Sequence, residues 1–499
     1  MFSLTLQEFQ TLAKKGNLIP LYAEIPADLD TPVSAFLKIR SGKYDFLLES
    51  ATGGEKWGQY SFLGTNPRMV LKVRNDQLTL LSGKKKTVQT ISGDPLSAVK
   101  EVMKPFKPVE VPGLPRFFGG AVGFLSYDVV RSFEKIKEAS LDDLGVEEAF
   151  FVIADTLLMF DNFKQTIKIV VNIYLDGTSV KGLYQKACVK IETLVRQLRK
   201  PIPSVSKKKK TTPETPRVRH TEKEFMGMVE KAREYIKAGD VFQVVLSTRY
   251  EAKTDIDPFE LYRVLRRLNP SPYLYFLHFD DLAVVGASPE VMVRLEGKRA
   301  ELRPIAGTRR RGYTEKEDLE LEEELREDPK ERAEHIMLVD LGRNDLGRVC
   351  EIGSVTVDEL EIVERYSHVM HLVSHVSGML KKGRDAYDLI RATFPAGTLT
   401  GAPKIRAMEI IEELEGLRRG VYGGCVGYIG FNGNCDTAIA IRTAFFKGKK
   451  VYVQAGAGIV FNSDARLEYK ECQNKARGVL KALENVYGRT LCSPVMGQY

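Results

Sequence analysis

Three features of the sequence predict an α+β fold of large antiparallel β-sheets packed together, with helices outside. Short strand-like runs recur at hairpin spacing, separated by turn residues. No βαβ alternation carries a G-x-G-x-x-G turn and no G-x-x-x-x-G-K-[ST] loop occurs, which argues against Rossmann and P-loop architectures. Three late runs, 421–431, 437–446 and 449–454, are joined by short loops rich in Asn, Gly and Lys, and read as antiparallel neighbours.

The elements can be taken in order. Thr5 and Glu8 form a capping box that opens a first helix. Strands are expected at 19–25, 45–49, 60–63, 69–73 and 77–81. Asp94-Pro95 starts a helix, with Asp as N-cap and Pro in its first turn. Strand-like runs return at 120–127 and 165–175, and an amphipathic helix over 179–199 closes a first unit, residues 1–200. Residues 201–220 carry prolines and a lysine run and have too little apolar surface to bury, so they read as a connector. Thr221 and Glu224 form another capping box and open a second unit, 221–487. Its strands are expected at 242–249, 273–279, 283–287, 291–295 and 299–304, with helices over 314–346 and 386–415. Residues 488–499 form a tail.

Composition excludes several classes of function. The chain has 499 residues, 43% hydrophobic and 28% charged, which suits a large soluble core. No apolar run approaches a membrane span, and the N-terminus lacks the pattern of a secretory signal. The six cysteines are scattered with no C-x-x-C, so neither a zinc site nor a disulfide framework is expected and a reducing cytoplasm is the simplest setting. Of the net charge of +8, seven units come from Lys84–Lys86 and Lys207–Lys210, in an expected turn and the connector. No aromatic residues are interleaved with them, so no nucleic-acid partner is expected.

The densest chemistry lies in 451–483, read as a strand, a small-residue turn at Gly456-Ala457-Gly458, a second short strand and a long helix. The turn leaves backbone N–H groups open to a ligand. The helix carries Glu468 and Glu471 three apart, on one face. Asp328-Pro329-Lys330-Glu331 starts another helix, in which Glu334 lines up with Leu338 and Leu341, an awkward place for an unpaired charge. An ordinary cap accounts for Glu331, and a pair with Lys475 accounts for Glu471. If the two pairs converge they need a cation, and all-oxygen ligation favours Mg2+. His371 and His375 share one face of an expected strand and His368 the other, which spoils a common zinc site. Residues 394–404 form a loop whose hydroxyls and amides can cradle a polar ligand, although a plain helix cap explains it equally well. Arg442, within the apolar run AIAIRTAFF, needs an anion, which Tyr422 can share.

Taken together, the blocks GDVFQVVLS, NPSPYLYFL, GASPEVMVR, RPIAGTRRRG, AEHIMLVDLGRNDLGRV, YSHVMHLVSHVSG, FPAGTLTGAPKIRAMEII, YGGCVGYIGF, DTAIAIRTA, QAGAGIV and the final E-x-x-E-x-x-N-K-A-R helix closely resemble the chorismate-utilising enzymes. Among these the resemblance is greatest to the large subunits (component I) of anthranilate synthases, and it covers nearly the whole chain. It implies that Glu334 and Glu471, assisted by Glu331 and Glu468, hold Mg2+ against the ring carboxylate of chorismate. Tyr422, Arg442 and the backbone of Gly456, Ala457 and Gly458 take the enolpyruvyl carboxylate, while Gly307, Thr308 and Thr398 line the pocket. Glu290 is the implied general acid for loss of the 4-hydroxyl, and His371 the proton-transfer partner in the later elimination.

Two positions sort the branches of the family. Aminodeoxychorismate synthases typically carry Lys in the block around Ala306, and isochorismate and salicylate synthases carry a Lys base where this chain has Gln243. Ammonia is therefore the implied nucleophile, delivered by a separate glutamine amidotransferase subunit, in a heterotetramer of two large and two small subunits. Ser50, in LLES, with Pro272, Tyr273 and Leu274, resembles a site for feedback by L-tryptophan. Gln59 departs from the Arg that relatives often carry before YSFLG. The alternatives are an aminodeoxychorismate synthase and a catalytically inactive tryptophan-binding scaffold.

Overall fold

The computed structural model describes residues 2–50, 58–137, 139–203, 214–366 and 369–488. The lysine run of the connector, His368 and the tail from 489 onward lie outside the described residues.

Two twelve-stranded antiparallel sheets make up the fold. The first runs Leu18–Pro26, Thr166–Tyr174, Thr156–Asp161, Tyr60–Gly64, Tyr44–Glu49, Tyr273–Phe279, Leu282–Ser288, Thr443–Lys447, Lys450–Ile459, Gln243–Lys253 and Arg217–Val218. The second runs Ile305–Arg310, Val369–Met379, Arg299–Leu302, Val291–Glu296, Cys435–Ile439, Cys425–Gly430, Gly120–Leu125, Ala149–Ala154, Met69–Arg74, Gln77–Ser82 and Lys85–Thr90. Gly401–Ala402 joins the first sheet on Gln243–Lys253, and Thr356–Arg365 joins the second on Val369–Met379. Each sheet draws strands from both sides of the 201–220 connector. The joins are Tyr44–Glu49 with Tyr273–Phe279, and Gly120–Leu125 with Cys425–Gly430.

Period-two patterning explains the layering. Along Tyr273–Phe279, the residues Tyr275, Leu277 and Phe279 belong to the core between the sheets, whereas Leu274 and Phe276 belong to the core beneath the helices. Phe150 of the second sheet meets Phe279 of the first with ring centroids 4.8 Å apart. On the other face Phe276 packs on Phe36 and Phe259, from the helices Pro32–Ile39 and Pro258–Leu268. Each such buried ring contributes about 1.5–3 kcal/mol.

Several expectations are corrected. The run 437–446 is two strands in different sheets: Cys435–Ile439 ends, and Thr443–Lys447 begins in the other sheet. Arg442 marks the crossing in a left-handed backbone conformation, φ +49°, which an arginine adopts only where its surroundings enforce it. Gly456, Ala457 and Gly458 form no turn. They lie inside the single strand Lys450–Ile459, opposite Ser247, Leu246 and Val245, because the ladder to Gln243–Lys253 continues through them. The expected helix 314–346 divides at Asp328 and Pro329, and 386–415 is interrupted at 394–403. Lys85 and Lys86 stand on an exposed edge strand, where lysines oppose edge-to-edge pairing.

Candidate active site

The site gathers where the chain crosses between the sheets. Asp328 caps the helix Pro329–Gly347, accepting from the N–H groups of Lys330 and Glu331 at 2.9 and 3.1 Å, and so fixes the first turn that carries Glu331 and Glu334. Gln243, at the start of its strand, donates from Nε2 to Glu334 Oε1 at 3.1 Å. A side chain at Gly458 would bring its Cβ to 2.6 Å from that Gln243 Nε2, and one at Gly456 to 2.8 Å from the Tyr422 hydroxyl. The two glycines thus leave room for the polar ends of Gln243 and Tyr422. The ladder from Thr443–Lys447 stops at Val453, so beyond Val453 no described strand pairs with the edge of Lys450–Ile459 away from Gln243–Lys253.

On the opposite wall, His371 Nδ1 lies 3.0 Å from both Gly307 O and Thr308 Oγ1. A carbonyl oxygen can only accept, so Nδ1 carries the proton and Nε2 keeps its lone pair. Burial pushes the His371 pKa below the ordinary imidazole value, and the nearby Arg442 charge adds to the effect. The neutral ring is a base in waiting. Gly307 has φ +64°, at a bulge between Ala306 and Thr308, and a Cβ there would meet Leu325 at 2.9 Å and the Glu331 carboxylate at 3.3 Å. Glu290 follows the strand Leu282–Ser288, and its Oε2 accepts from Thr398 Oγ1 at 2.9 Å. Burial raises the Glu290 carboxyl above its ordinary range; Thr398, Lys475 and Arg442 pull the other way without cancelling the shift.

The final helix, Ala465–Val486, brings Glu468, Glu471 and Lys475. Lys475 Nζ pairs with Glu471 Oε1 at 2.7 Å, as the i,i+4 spacing allowed. Glu468 is buried, and desolvation raises its carboxyl, with Glu471 adding and Ser463, Lys330 and Lys475 opposing. Lys330 belongs to the Glu331 helix, so the first turns of the two glutamate helices feel each other's charge. Glu331 is likewise raised by burial and then by Glu334. Among the described residues no three His, Cys, Asp or Glu side chains form a ready-made metal cage. The donor set nevertheless fits a hard divalent cation: four carboxylates, two on each helix, of which Glu468 is buried and Glu331 and Glu334 are half-buried.

Ser50, Pro272, Tyr273 and Leu274 line a separate cavity, with Arg116, Tyr428 and Asp436 on its wall. Leu274 stands opposite Glu49 in the ladder, which brings LLES to NPSPYLYFL. Tyr273 donates to Asp436 Oδ1 at 2.8 Å, and Arg116 to Asp436 Oδ2 at 3.3 Å. Gln59, the departure noted above, is 3.4 Å from Asp161. His375 takes no part in the cleft and lies 3.2 Å from Asp358. Lys475 and the buried pair Glu415–Arg419 did not emerge as site residues from the sequence. The available signal for Arg419 was a second arginine three residues before Tyr422, in GLRRGVYGG.

Residues 44–481 match the model of the chorismate binding enzyme family. The chain is 49% identical to the anthranilate synthase component 1 of Aquifex aeolicus, over 97% of this chain and 98% of that one. It is 45% identical to that of Acetivibrio thermocellus, over 97% and 99%. Its fold is similar to the crystal structure of anthranilate synthase component I from Streptococcus pneumoniae, with a TM-score of 0.77, 38% identity and coverage of 91% and 98%. The menaquinone-specific isochorismate synthase of Escherichia coli shares the fold at a TM-score of 0.71 and 19% identity, over 95% and 98%. The chain belongs to the chorismate-binding enzyme family, on its anthranilate synthase component 1 branch.

Proposed function

We propose that the chain converts chorismate and ammonia to anthranilate and pyruvate, the first committed step of tryptophan biosynthesis. The observation that carries the reading is a buried carboxyl, Glu290, held by the Thr398 hydroxyl and raised in pKa by burial, together with an imidazole, His371, whose Nδ1 is bonded to Gly307 O so that Nε2 is left as the basic atom. Hydroxide is a poor leaving group and must be protonated. Glu290 donates its proton to the 4-hydroxyl, which leaves as water while ammonia adds at C2 and the ammonium so formed gives up a proton to solvent. His371 Nε2 then takes the C2 proton as the bond from C3 to the enolpyruvyl oxygen breaks, giving the aromatic ring, and the enolpyruvate released gains a proton at its methylene carbon to become pyruvate. Tyr422, Arg442 and the free edge at Gly456–Gly458 orient the enolpyruvyl carboxylate, and Thr398 holds Glu290 in line. Gly307 and Thr308 seat His371.

Glu334 and Glu471, with Glu331 and Glu468, would hold Mg2+, which supplies fixation and polarisation of the ring carboxylate when bound. The Gln243 amide is tied to Glu334 and Ala306 has no amine, so neither supports water activation or a covalent lysine route. Ammonia comes from a separate glutamine amidotransferase subunit, in a heterotetramer of two large and two small subunits. L-Tryptophan inhibits from the cavity at Ser50. The described cysteines are all free thiols and no described helix is long and apolar enough to cross a membrane, which suits work in the cytoplasm.

One assay tests the reading: purified chain, chorismate, Mg2+ and an ammonium salt at alkaline pH. Fluorescent anthranilate is expected. An amino-deoxychorismate that accumulates without aromatising, or no turnover at all, overturns it.

A further inference from the structure

Behind the cleft lies a buried ion pair that the proposed chemistry does not use. Arg419, 2% exposed, follows the helix Lys404–Glu415. Its guanidinium donates from Nε and Nη2 to the two oxygens of Glu415 at 2.9 and 2.6 Å, from Nη1 to Leu399 O at 2.7 Å, and from Nη2 to Val245 O at 2.8 Å. Its Cζ lies 4.7 Å from the ring centroid of Tyr127 and 5.6 Å from that of Tyr422. Glu415 in turn accepts from the N–H and hydroxyl of Ser247, each at 2.8 Å.

Each partner adjoins a residue of the site. Leu399 follows Thr398, the donor to Glu290. Val245 is two residues beyond Gln243, the donor to Glu334. Tyr422 places its hydroxyl against Gly456. The strand and the loop are also joined directly, by Val245 N–H to Thr400 O at 2.8 Å. One planar cation therefore bonds a loop, a strand and a helix end, and stacks on the tyrosine between them. A buried charge has to be paired on all sides, and only the guanidinium fork reaches acceptors in these several directions at once; an ammonium is a point charge.

We propose that Arg419 is a positioning residue, which locks Tyr422, the Thr398 loop and the Gln243 strand into one rigid body. The proposal rests on the reading that Tyr422 binds a substrate carboxylate and Thr398 serves Glu290. Removing the fork strands the carbonyls of Leu399 and Val245 without a donor, and frees Tyr422 to shift in the cleft.

The test compares Arg419→Lys with the wild-type full chain by backbone hydrogen exchange and by steady-state kinetics with chorismate, ammonium and Mg2+. Exchange should speed up at least tenfold over residues 397–402 and 421–424, and not in the sheets of the first 200 residues. The KM for chorismate should rise at least tenfold, since carboxylate binding is lost from ground state and transition state alike. Unchanged exchange in both segments overturns the proposal, as does an increase spread evenly over the chain. So does a fall in kcat at constant KM, which is what a smaller folded fraction gives. If the wild-type chain makes no anthranilate, the functional reading falls and hydrogen exchange alone decides for or against Arg419. Should Arg419→Lys not fold, Glu415→Gln, which removes the charge that holds the guanidinium, carries the same measurements and the same outcomes.

Discussion

At Glu290 the fold keeps a carboxyl group where its anion is disfavoured. Desolvation outweighs the help the anion receives from Thr398, Lys475 and Arg442. The linkage has a definite sign. A carboxyl whose folded pKa is raised contributes stability that is fully present below its unfolded pKa and lost as pH rises through the folded value. At neutral and alkaline pH, Glu290 is thus a liability that the proposed proton-donating role explains. Glu290→Gln keeps the shape and an acceptor for Thr398 but cannot donate an acidic proton. We expect its kcat to fall about 10²–10⁴-fold, while its melting temperature exceeds that of the wild type at pH 8 and the excess vanishes near pH 4. Full activity in this variant would remove the general-acid role. His371 has the complementary sign: its folded pKa is lowered by burial, so its contribution is present above the ordinary imidazole value and lost as pH falls through the lowered one. If it is the base, the acid limb of the kcat/KM profile falls below pH ~6.5, and this limb is missing from His371→Gln.

The two glutamate helices are the elements that a cation would join. Glu331 and Glu468 are each raised by burial and by the second glutamate of their own helix, so each pair carries negative charge that a cation would relieve. A divalent cation bound only by the folded chain should raise the melting temperature, by the equivalent of about 2.7 kcal/mol at a hundredfold excess over Kd. Glu334→Gln or Glu471→Gln should lose that increment and the Mg2+-dependent turnover, with an unchanged circular dichroism spectrum. Wild-type rates in either variant would refute the metal assignment. The starts of these helices were legible because capping is local: Asp328 announces one, as the boxes at Thr5 and Thr221 announce others. Ala149–Ala154 and Thr156–Asp161 were not, since both strands are buried on both faces and show no alternation. Thr356–Arg365 hides its strand behind five acidic and basic residues. The sheet crossing at Arg442 was invisible for another reason. AIAIRTAFF alternates well enough to pass as one strand, and only packing against two different sheets breaks it. The two glutamate pairs are visible as i,i+3 spacings, but such pairs are common in helices, and joining the two across a cation rested on the resemblance. Arg419 could not be read from spacing, because its partners come from three separate stretches of chain.

Across the whole molecule, the second sheet connects two cavities through one short strand. On Cys435–Ile439, Asp436 lines the cavity at Ser50, whereas Ile439 lines the cleft that holds Glu290 and Thr398. Three residues of strand span about 10 Å, and three more reach Arg442, where the chain crosses sheets with a positive φ. The neighbouring strand Cys425–Gly430 parallels this arrangement, with Val426, Gly427 and Tyr428 at the cavity and Tyr422 shortly before it. A ligand that moves Asp436 therefore has a direct mechanical route to both groups proposed to hold the substrate carboxylate. Tyr273 is the cavity side chain best placed to do so, because its ring lines the cavity and its hydroxyl donates to Asp436. Binding and transmission can then be separated. Ser50→Phe should fill the cavity and abolish both tryptophan binding and inhibition, with uninhibited turnover kept. Tyr273→Phe retains the ring and loses only the bond to Asp436. Calorimetry should find its tryptophan affinity within about threefold of wild type, a loss no larger than one net hydrogen bond permits, while the tryptophan concentration for half-inhibition rises at least tenfold. Equal weakening of binding and inhibition would mean that Tyr273 serves affinity alone, and that the signal leaves the cavity by another strand.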